Sequence, residues 1–264
     1  MDLKELAHKE LATTTRHPWE YARLRVVEDL IKNKTQNNLH QAAVLDIGCG
    51  DTFVVEALAN KYPNTHFKAI DIAFSDEQLT AFAEKFKDSN ISVYRNVDDA
   101  LAQADKEIAL ILLLDVIEHI EDEIGFLNKV NQHPKITNNT EYLITVPAYQ
   151  WLFSTHDVFM DHYRRYTNTT LKQRLAKANI GISKSGYFFT TLLVPRVLRY
   201  LIEKTSNSTP DKTTGLVAWT GGKFITGAIT TLLYTDYCIT SFFQFIGIKI
   251  PGLSNYAVCR KSVS

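Results

Sequence analysis

Short aliphatic runs alternate with stretches of helical periodicity through the first half of the chain. Residues 42–47, 66–72, 91–95, 108–114 and 141–146 read as strands, and 52–62, 76–86, 97–104 and 122–132 as helices between them. The run from Ile108 to Leu114 is almost wholly aliphatic, as a central parallel strand buried on both faces should be. A helix is expected over 18–32, with Pro18 suited to its first turn, and a polar loop over 33–41. After the fifth strand, residues 149–166 show no clear periodicity and are rich in aromatics, His and Arg. That is long for a connection without structure, which points to a functional lid. Helices are expected over 170–179 and 193–204, a polar break over 206–214, and strands over 183–190 and 254–260. Short connections between alternating strands and helices predict an α/β fold. It is a doubly wound, mostly parallel, seven-stranded Rossmann-like sheet with helices on both faces, followed by apolar C-terminal helices.

Three segments follow from this pattern: an N-terminal helical segment (1–41), a ligand-binding Rossmann-like domain with its lid (42–190), and the C-terminal helices with the last strand (191–264). No period of repeats runs through the chain, so a solenoid is excluded. The 29 basic and 29 acidic residues cancel, so no nucleic-acid partner is expected. Residues 1–11 are charged and amphipathic, unlike a secretory or transit peptide. Cys49, Cys238 and Cys259 are too scattered for a disulfide framework, and a cytoplasmic location is expected. Residues 224–248 form the longest stretch of low charge, but Asp236 interrupts it, and a spanning helix needs about 20 apolar residues in a row. It reads as a buried or amphipathic helix that allows peripheral membrane contact. Oligomeric state leaves no mark in the sequence.

The first strand runs into Asp46-Ile47-Gly48-Cys49-Gly50-Asp51. Glycines here let the backbone turn tightly against a ligand. A dinucleotide fingerprint would place a third glycine where Phe53 stands, which disfavours a nicotinamide dehydrogenase. Carboxylates beside the turn repel a diphosphate and attract a cation. S-adenosylmethionine, with a sulfonium, an ammonium and no phosphate, suits such a turn; a structural turn with Asp46 as a cap is the alternative. Asp71 ends the second strand about 20 residues after the glycines, where an acid can accept both ribose hydroxyls. Asp98, after the third strand, could meet an adenine amino group, or the segment 96–99 could cap a helix. Asp115 ends the fourth strand, so four successive strand ends carry polar or glycine residues.

The segments VLDIGCG (44–50), AIDIAF (69–74) and LLLDVIEHIED (112–122) resemble motifs of class I S-adenosylmethionine-dependent methyltransferases, in particular the quinone-biosynthesis O-methyltransferases. The resemblance covers about residues 19–178. It implies S-adenosylmethionine as cofactor and its homocysteine analogue as product. It places Asp46, Gly48, Cys49 and Gly50 at the methionine part, Asp71 and Ile72 at the ribose and its surroundings, and Asp98 near adenine. Leu114, Asp115 and Val116 would wall the sulfur side. Trp19 and Arg23 match a Trp and an Arg that often precede the first strand in relatives, which makes Arg23 a candidate for the cofactor carboxylate.

A hydroxyl acceptor needs a base or a metal to remove its proton. His119, His156 and His162 are the candidates for the base. Asp115, Glu118 and His119 have the spacing of one helix face and, with His162, form the set a divalent metal would use. Similar acid-x-x-Glu-His segments bind metal in some quinone and small-RNA 2′-O-methyltransferases, although Asp115 is shorter than the usual Glu. The alternative is that Glu118 and His119 pack beneath the cofactor loop. Arg164 and Arg165 either pair with an acidic acceptor or tie the lid to the sheet. The aromatic lid suggests a small apolar acceptor of lipid, quinone, polyketide or aryl-polyene type, methylated at oxygen. A metal-dependent RNA 2′-O-methyltransferase and a non-catalytic nucleoside-binding module are the competing readings.

Overall fold

The computed structural model describes residues 16–35, 42–205 and 219–262. The charged stretch 1–11, most of the loop at 33–41 and the polar break at 206–214 lie outside the described residues. Helix α1 (Pro18–Thr35) precedes the sheet. Parallel strands β1 (Ala43–Ile47), β2 (His66–Ile70), β3 (Ile91–Tyr94), β4 (Ile108–Leu114) and β5 (Glu141–Pro147) are joined by α2 (Phe53–Lys61), α3 (Asp76–Lys85), α4 (Val97–Ala102) and α5 (Glu123–Gln132). The chain continues through α6 (Thr155–Phe159), α7 (Asn168–Lys177), β6 (Ile180–Phe188), α8 (Thr190–Thr205), α9 (Lys223–Phe245) and β7 (Ser254–Lys261). The sheet order is β3-β2-β1-β4-β5-β7-β6, and β7 runs antiparallel to both its neighbours. The order reverses between β1 and β4, which opens a crevice at their carboxyl ends.

The aliphatic run of β4 serves two cores at once. Leu110, Leu112 and Leu114 pack with α1, α2 and α9, whereas Ile108, Ile111 and Leu113 pack with α4, α5 and α7. Side chains alternate faces along a strand, so a strand covered on both sides must be apolar at every position. On the first face α9 packs against α1, where the Thr230 hydroxyl donates to Pro18 O (3.2 Å) and Tyr237 to Asp29 (2.8 Å).

Several boundaries differ from the sequence expectation. The lid is not structureless: it holds a 3-10 turn (Gln150–Leu152) and α6, which Ser154 and Asp157 cap reciprocally. Elements of three and five residues are too short to show a period. β6 starts at Ile180 rather than 183, because it pairs with β7 along the whole span from Ile180 to Phe188. α7 starts early behind the Thr167–Thr170 capping box. α8 starts at Thr190, where Asp236 of α9 accepts bonds from Thr191 N and Oγ1. Among the described residues no helix is long and apolar enough to cross a membrane.

Candidate functional site

The turn after β1 demands glycine. Gly48 and Gly50 have φ of +73° and +58°, and a Cβ on Gly48 would stand 2.6 Å from Val116 Cγ2. The turn is fastened to β2: Ile70 O accepts Gly48 N (2.7 Å) and Cys49 N (3.1 Å). Asp71 Oδ2 accepts Gly50 N (2.9 Å) and its Oδ1 accepts Ala73 N (2.9 Å). Each carboxylate oxygen keeps a second lone pair for a hydroxyl. Ile72 beside it is 86 % exposed, an apolar side chain held out at a strand end. Burial pushes the Cys49 thiol up, and neighbouring Asp46 and Asp71 add to that, so it is a packing group rather than a nucleophile. Burial opposes ionisation of Asp51, but the Arg16 guanidinium at 2.5 Å holds its carboxyl below the usual range.

Asp46 sits at the end of β1, fully buried. Burial pushes its carboxyl up to about 7, against the opposing pull of Arg23. Across the crevice, Asp115 follows β4 in the left-handed region, at φ +57°. Its Oδ1 accepts the Thr145 hydroxyl (2.9 Å), and its Oδ2 pairs with Arg23 at 3.0 Å. Arg23 also donates to Thr145 Oγ1 (3.2 Å), while its buried Nε has no partner. The ends of β1, β2 and β4 and Arg23 of α1 thus bring Asp46, Asp71 and Asp115 together at the carboxyl edge of the sheet, where Val116 packs on Gly48. Trp19, in the first turn of α1, packs half-buried on the core. Asp98 is exposed in the first turn of α4. It makes an exposed ion pair with Lys129 (2.7 Å), and Asn96 caps α4 in its place.

The helix expected to carry Asp115, Glu118 and His119 on one face does not form. A 3-10 turn (Ile117–His119) follows the left-handed Asp115, and the next α-helix, α5, begins only at Glu123. Three of the four expected ligand residues still converge. One donor atom from each of Glu118, His119 and His162 lies within 4.8 Å of the others, and the two imidazoles meet edge to face at 4.5 Å. Glu118 is wholly buried with neither carboxylate oxygen partnered. Burial, reinforced by Asp115, pushes its carboxyl well above the usual range. Asp115 is turned away, to Arg23 and Thr145.

His162 is anchored by Asp157, which also accepts Arg165 Nε (2.7 Å), Ser154 N (2.9 Å) and Arg196 (3.3 Å). Burial raises the Asp157 carboxyl, but these bonds outweigh it and hold it well below the usual range. An ionised Asp157 can only accept, so His162 Nδ1 is the donor in their 3.0 Å bond. His156 lies half-buried in α6, outside the cluster. The two lid arginines are structural ties. Arg164 binds Glu123 and the carbonyls of Ile120 and Glu121, and Arg165 is buried on Asp157.

The roles of Thr145, Asp157, Arg196 and Arg16 escaped the sequence reading. Thr145 is a polar residue set between the aliphatic Ile144 and Val146 near the end of β5, a signal that was there to see. Asp157 and Arg196 are 39 residues apart and Arg16 and Asp51 are 35 apart, and no local pattern links such pairs.

A methyltransferase-domain family model matches residues 19–182. A tRNA (guanine-N(7)-)-methyltransferase of Clostridium tetani is 28% identical over 133 residues, 50% of this chain and 51% of the relative. A ubiquinone biosynthesis O-methyltransferase of Rickettsia typhi is 30% identical over 120 residues, 45% of this chain and 47% of the relative. The chain thus spans about half the length of these curated relatives. Coclaurine N-methyltransferase, solved with N-methylheliamine and S-adenosylhomocysteine, shares the fold at a TM-score of 0.53 and 16% identity, over 96% of this chain and 73% of that one. The family match, a sheet of this order and a glycine turn edged by carboxylates agree: the chain belongs to the methyltransferase-domain family, the class I S-adenosylmethionine-dependent methyltransferases.

Proposed function

We propose that the protein transfers a methyl group from S-adenosylmethionine to an oxygen of a small apolar acceptor of lipid, quinone, polyketide or aryl-polyene type. The observation that carries the reading is the charge layout of the crevice: a desolvated Asp46 and a hydroxyl-ready Asp71 on one side, and Arg23 with an unpartnered Nε on the other. These groups fit a cationic amino-acid nucleoside and would repel a diphosphate. In this reading Asp46 with Gly48, Cys49 and Gly50 takes the ammonium and sulfonium end. Arg23, beside Trp19, takes the carboxylate, Asp71 the ribose, Ile72 one face of the adenine and Asp98 its amino group. Leu114, Asp115 and Val116 form the wall beside the reacting methyl.

The bound cofactor supplies an electrophilic methyl group for in-line displacement. His162 accepts the hydroxyl proton of the acceptor at Nε2, because Asp157 already holds its Nδ1 proton and stabilises the resulting imidazolium. His119 packs against that ring and keeps it in place; His156 is the reserve base if the lid shifts. Tyr149 stacked on Tyr187 (5.3 Å) and Trp151 against Tyr200 (6.0 Å) give the lid aromatic surface, which suits an apolar acceptor. Such an acceptor accords with peripheral membrane contact.

A second use of the same cluster has its own support. The orphaned carboxyl of Glu118 fits a divalent metal held with His119 and His162, which would polarise the acceptor oxygen. RNA is disfavoured as acceptor by the zero net charge of the chain. Incubating the protein with labelled methyl donor, a total lipid extract and total tRNA separates the readings. Label in the organic-soluble fraction, as a base-stable ether, supports the proposal. Label in RNA alone, or cofactor binding with no transfer to any fraction, contradicts it.

A further inference from the structure

The outward face of α9 is almost free of charge. Beyond Lys223 at its start, it exposes Phe224, Ile225, Leu232, Ile239, Phe242 and Phe245. A helix on the surface of a soluble domain normally turns charged residues outward. The one charged residue inside α9, Asp236, points the other way and caps α8 through Thr191. Ile246 and Ile248 continue the apolar face past the helix.

Charge and shape together say what covers this face. Residues 219–262 contain Lys223, Lys249, Arg260 and Lys261 but a single acid, the buried Asp236. On β7, Arg260 pairs with Glu141 and Lys261 binds backbone carbonyls, so the exposed charge at the two ends of α9 is the positive charge of Lys223 and Lys249. At the Lys223 end, a cleft of about 500 Å³ between α1 and α9 is lined by Arg25, Glu28 and Lys223. Glu28 is already paired with Lys61 at 3.1 Å, so the cleft favours anions. The distribution of size matters as much. Phe224 and Phe245, 89 % and 88 % exposed, stand at opposite ends of the 23-residue helix. Thr231 and Thr235 are exposed between them. A protein interface gathers its largest apolar groups at the centre inside a polar rim. Aromatic anchors at both ends, each followed or preceded by a lysine, are instead the pattern of a helix lying in a lipid interface.

We propose that α9 docks in the plane of a bilayer that contains anionic lipids. Phe224 and Phe245 insert, while Lys223, Lys249 and Arg25 meet the headgroups. This deepens the reading of an apolar acceptor by naming the phase that delivers it, and it rests on that reading for its purpose but not for its geometry.

Sedimentation of the full chain with vesicles of phosphatidylcholine, with and without phosphatidylglycerol, tests this. Two variants are compared: Phe224→Ser with Phe245→Ser, and Lys223→Glu with Lys249→Glu. All four side chains are exposed, so neither variant removes core packing. The wild type is expected to bind the anionic vesicles, and each variant to bind at least about tenfold more weakly. Both variants should bind S-adenosylhomocysteine as the wild type does. The proposal is overturned if the wild type ignores both vesicles or if the phenylalanine variant binds them unchanged. It is also overturned if light scattering shows a dimer that this variant abolishes, because a second copy then covers the face. A wild type that ignores vesicles yet binds S-adenosylhomocysteine and methylates an apolar acceptor sinks the docking alone; a wild type that does not bind S-adenosylhomocysteine sinks the cofactor reading.

Discussion

Asp46 and Glu118 are both buried carboxyls raised by desolvation, but only Glu118 has both oxygens unpartnered, and the two ask for different ligands. Asp46 has a carboxyl raised to about 7, at the place proposed for the cationic end of the cofactor. Its protonated form suits the empty fold and its ionised form suits the cofactor. Affinity for S-adenosylmethionine should therefore fall as pH drops below about 7, as calorimetry across pH 5.5 to about 8.5 would register. Stability moves the other way. A carboxyl whose value is raised on folding favours the folded state at low pH, and that contribution is lost as pH rises toward about 7. The Asp46→Asn variant should accordingly melt higher than the ligand-free wild type at pH 8. An equal or lower melting temperature would show that Asp46 is satisfied within the fold.

Glu118 is wholly buried with its carboxyl raised well above its usual range, so Glu118→Gln keeps the side chain's shape and removes its ionisable group. In chelator its melting temperature should stay within a degree or two of wild type, roughly a few tenths of a kcal/mol. If a divalent metal uses the cluster, manganese or zinc raises the melting temperature of the wild type and leaves that of the variant unmoved. No metal-dependent shift in either protein removes the metal reading and leaves His162 as the base.

At the scale of elements, the lid depends on Asp157. One carboxylate ties α6, the segment bearing His162 and Arg165, and Arg196 of α8. Removing its charge strands two buried arginines. Asp157→Asn should cost about 3–5 kcal/mol in urea unfolding and move the pH–rate profile of methyl transfer, because the imidazole loses its counter-charge. A variant of full stability with an unmoved profile would make the tie ornamental. The strands and the glycine turn were legible in the sequence because each rests on local chemistry: aliphatic runs, Gly48 and Gly50, and acids at strand ends. The stretch after β4 was not. Asp115, Glu118 and His119 share helical spacing, yet the backbone at Asp115 turns left-handed and sends its carboxylate to Arg23 and Thr145. The ligand trio survived that error because His162 comes to it from the lid. The place of Arg196 was invisible, since only the folded chain brings α8 onto the lid.

At the scale of the whole molecule, α1 carries Arg23 to Asp115, Arg16 just ahead of it pairs with Asp51, and the other side of the helix is held by α9 through Asp29 and Pro18. Cofactor binding should therefore order α1. Amide hydrogen exchange over 18–35 is expected to slow on addition of S-adenosylhomocysteine, while β4 stays unchanged. Tyr237→Phe should weaken that protection and cost about 1 kcal/mol. Uniform exchange with and without ligand would place the cofactor away from α1. The fold itself leaves the acceptor open, since relatives of this chain act on tRNA guanine and in ubiquinone biosynthesis. What the molecule as a whole commits to is a crevice for a cationic nucleoside. The direct test is calorimetric titration of S-adenosylhomocysteine and of NAD into the wild type and the Asp46→Asn/Asp71→Asn double variant. The wild type should bind the former and not the latter, and the variant should lose at least about a hundredfold in affinity, two charged hydrogen-bond acceptors' worth. Unchanged affinity in the variant, or tight NAD binding by the wild type, would contradict the assignment.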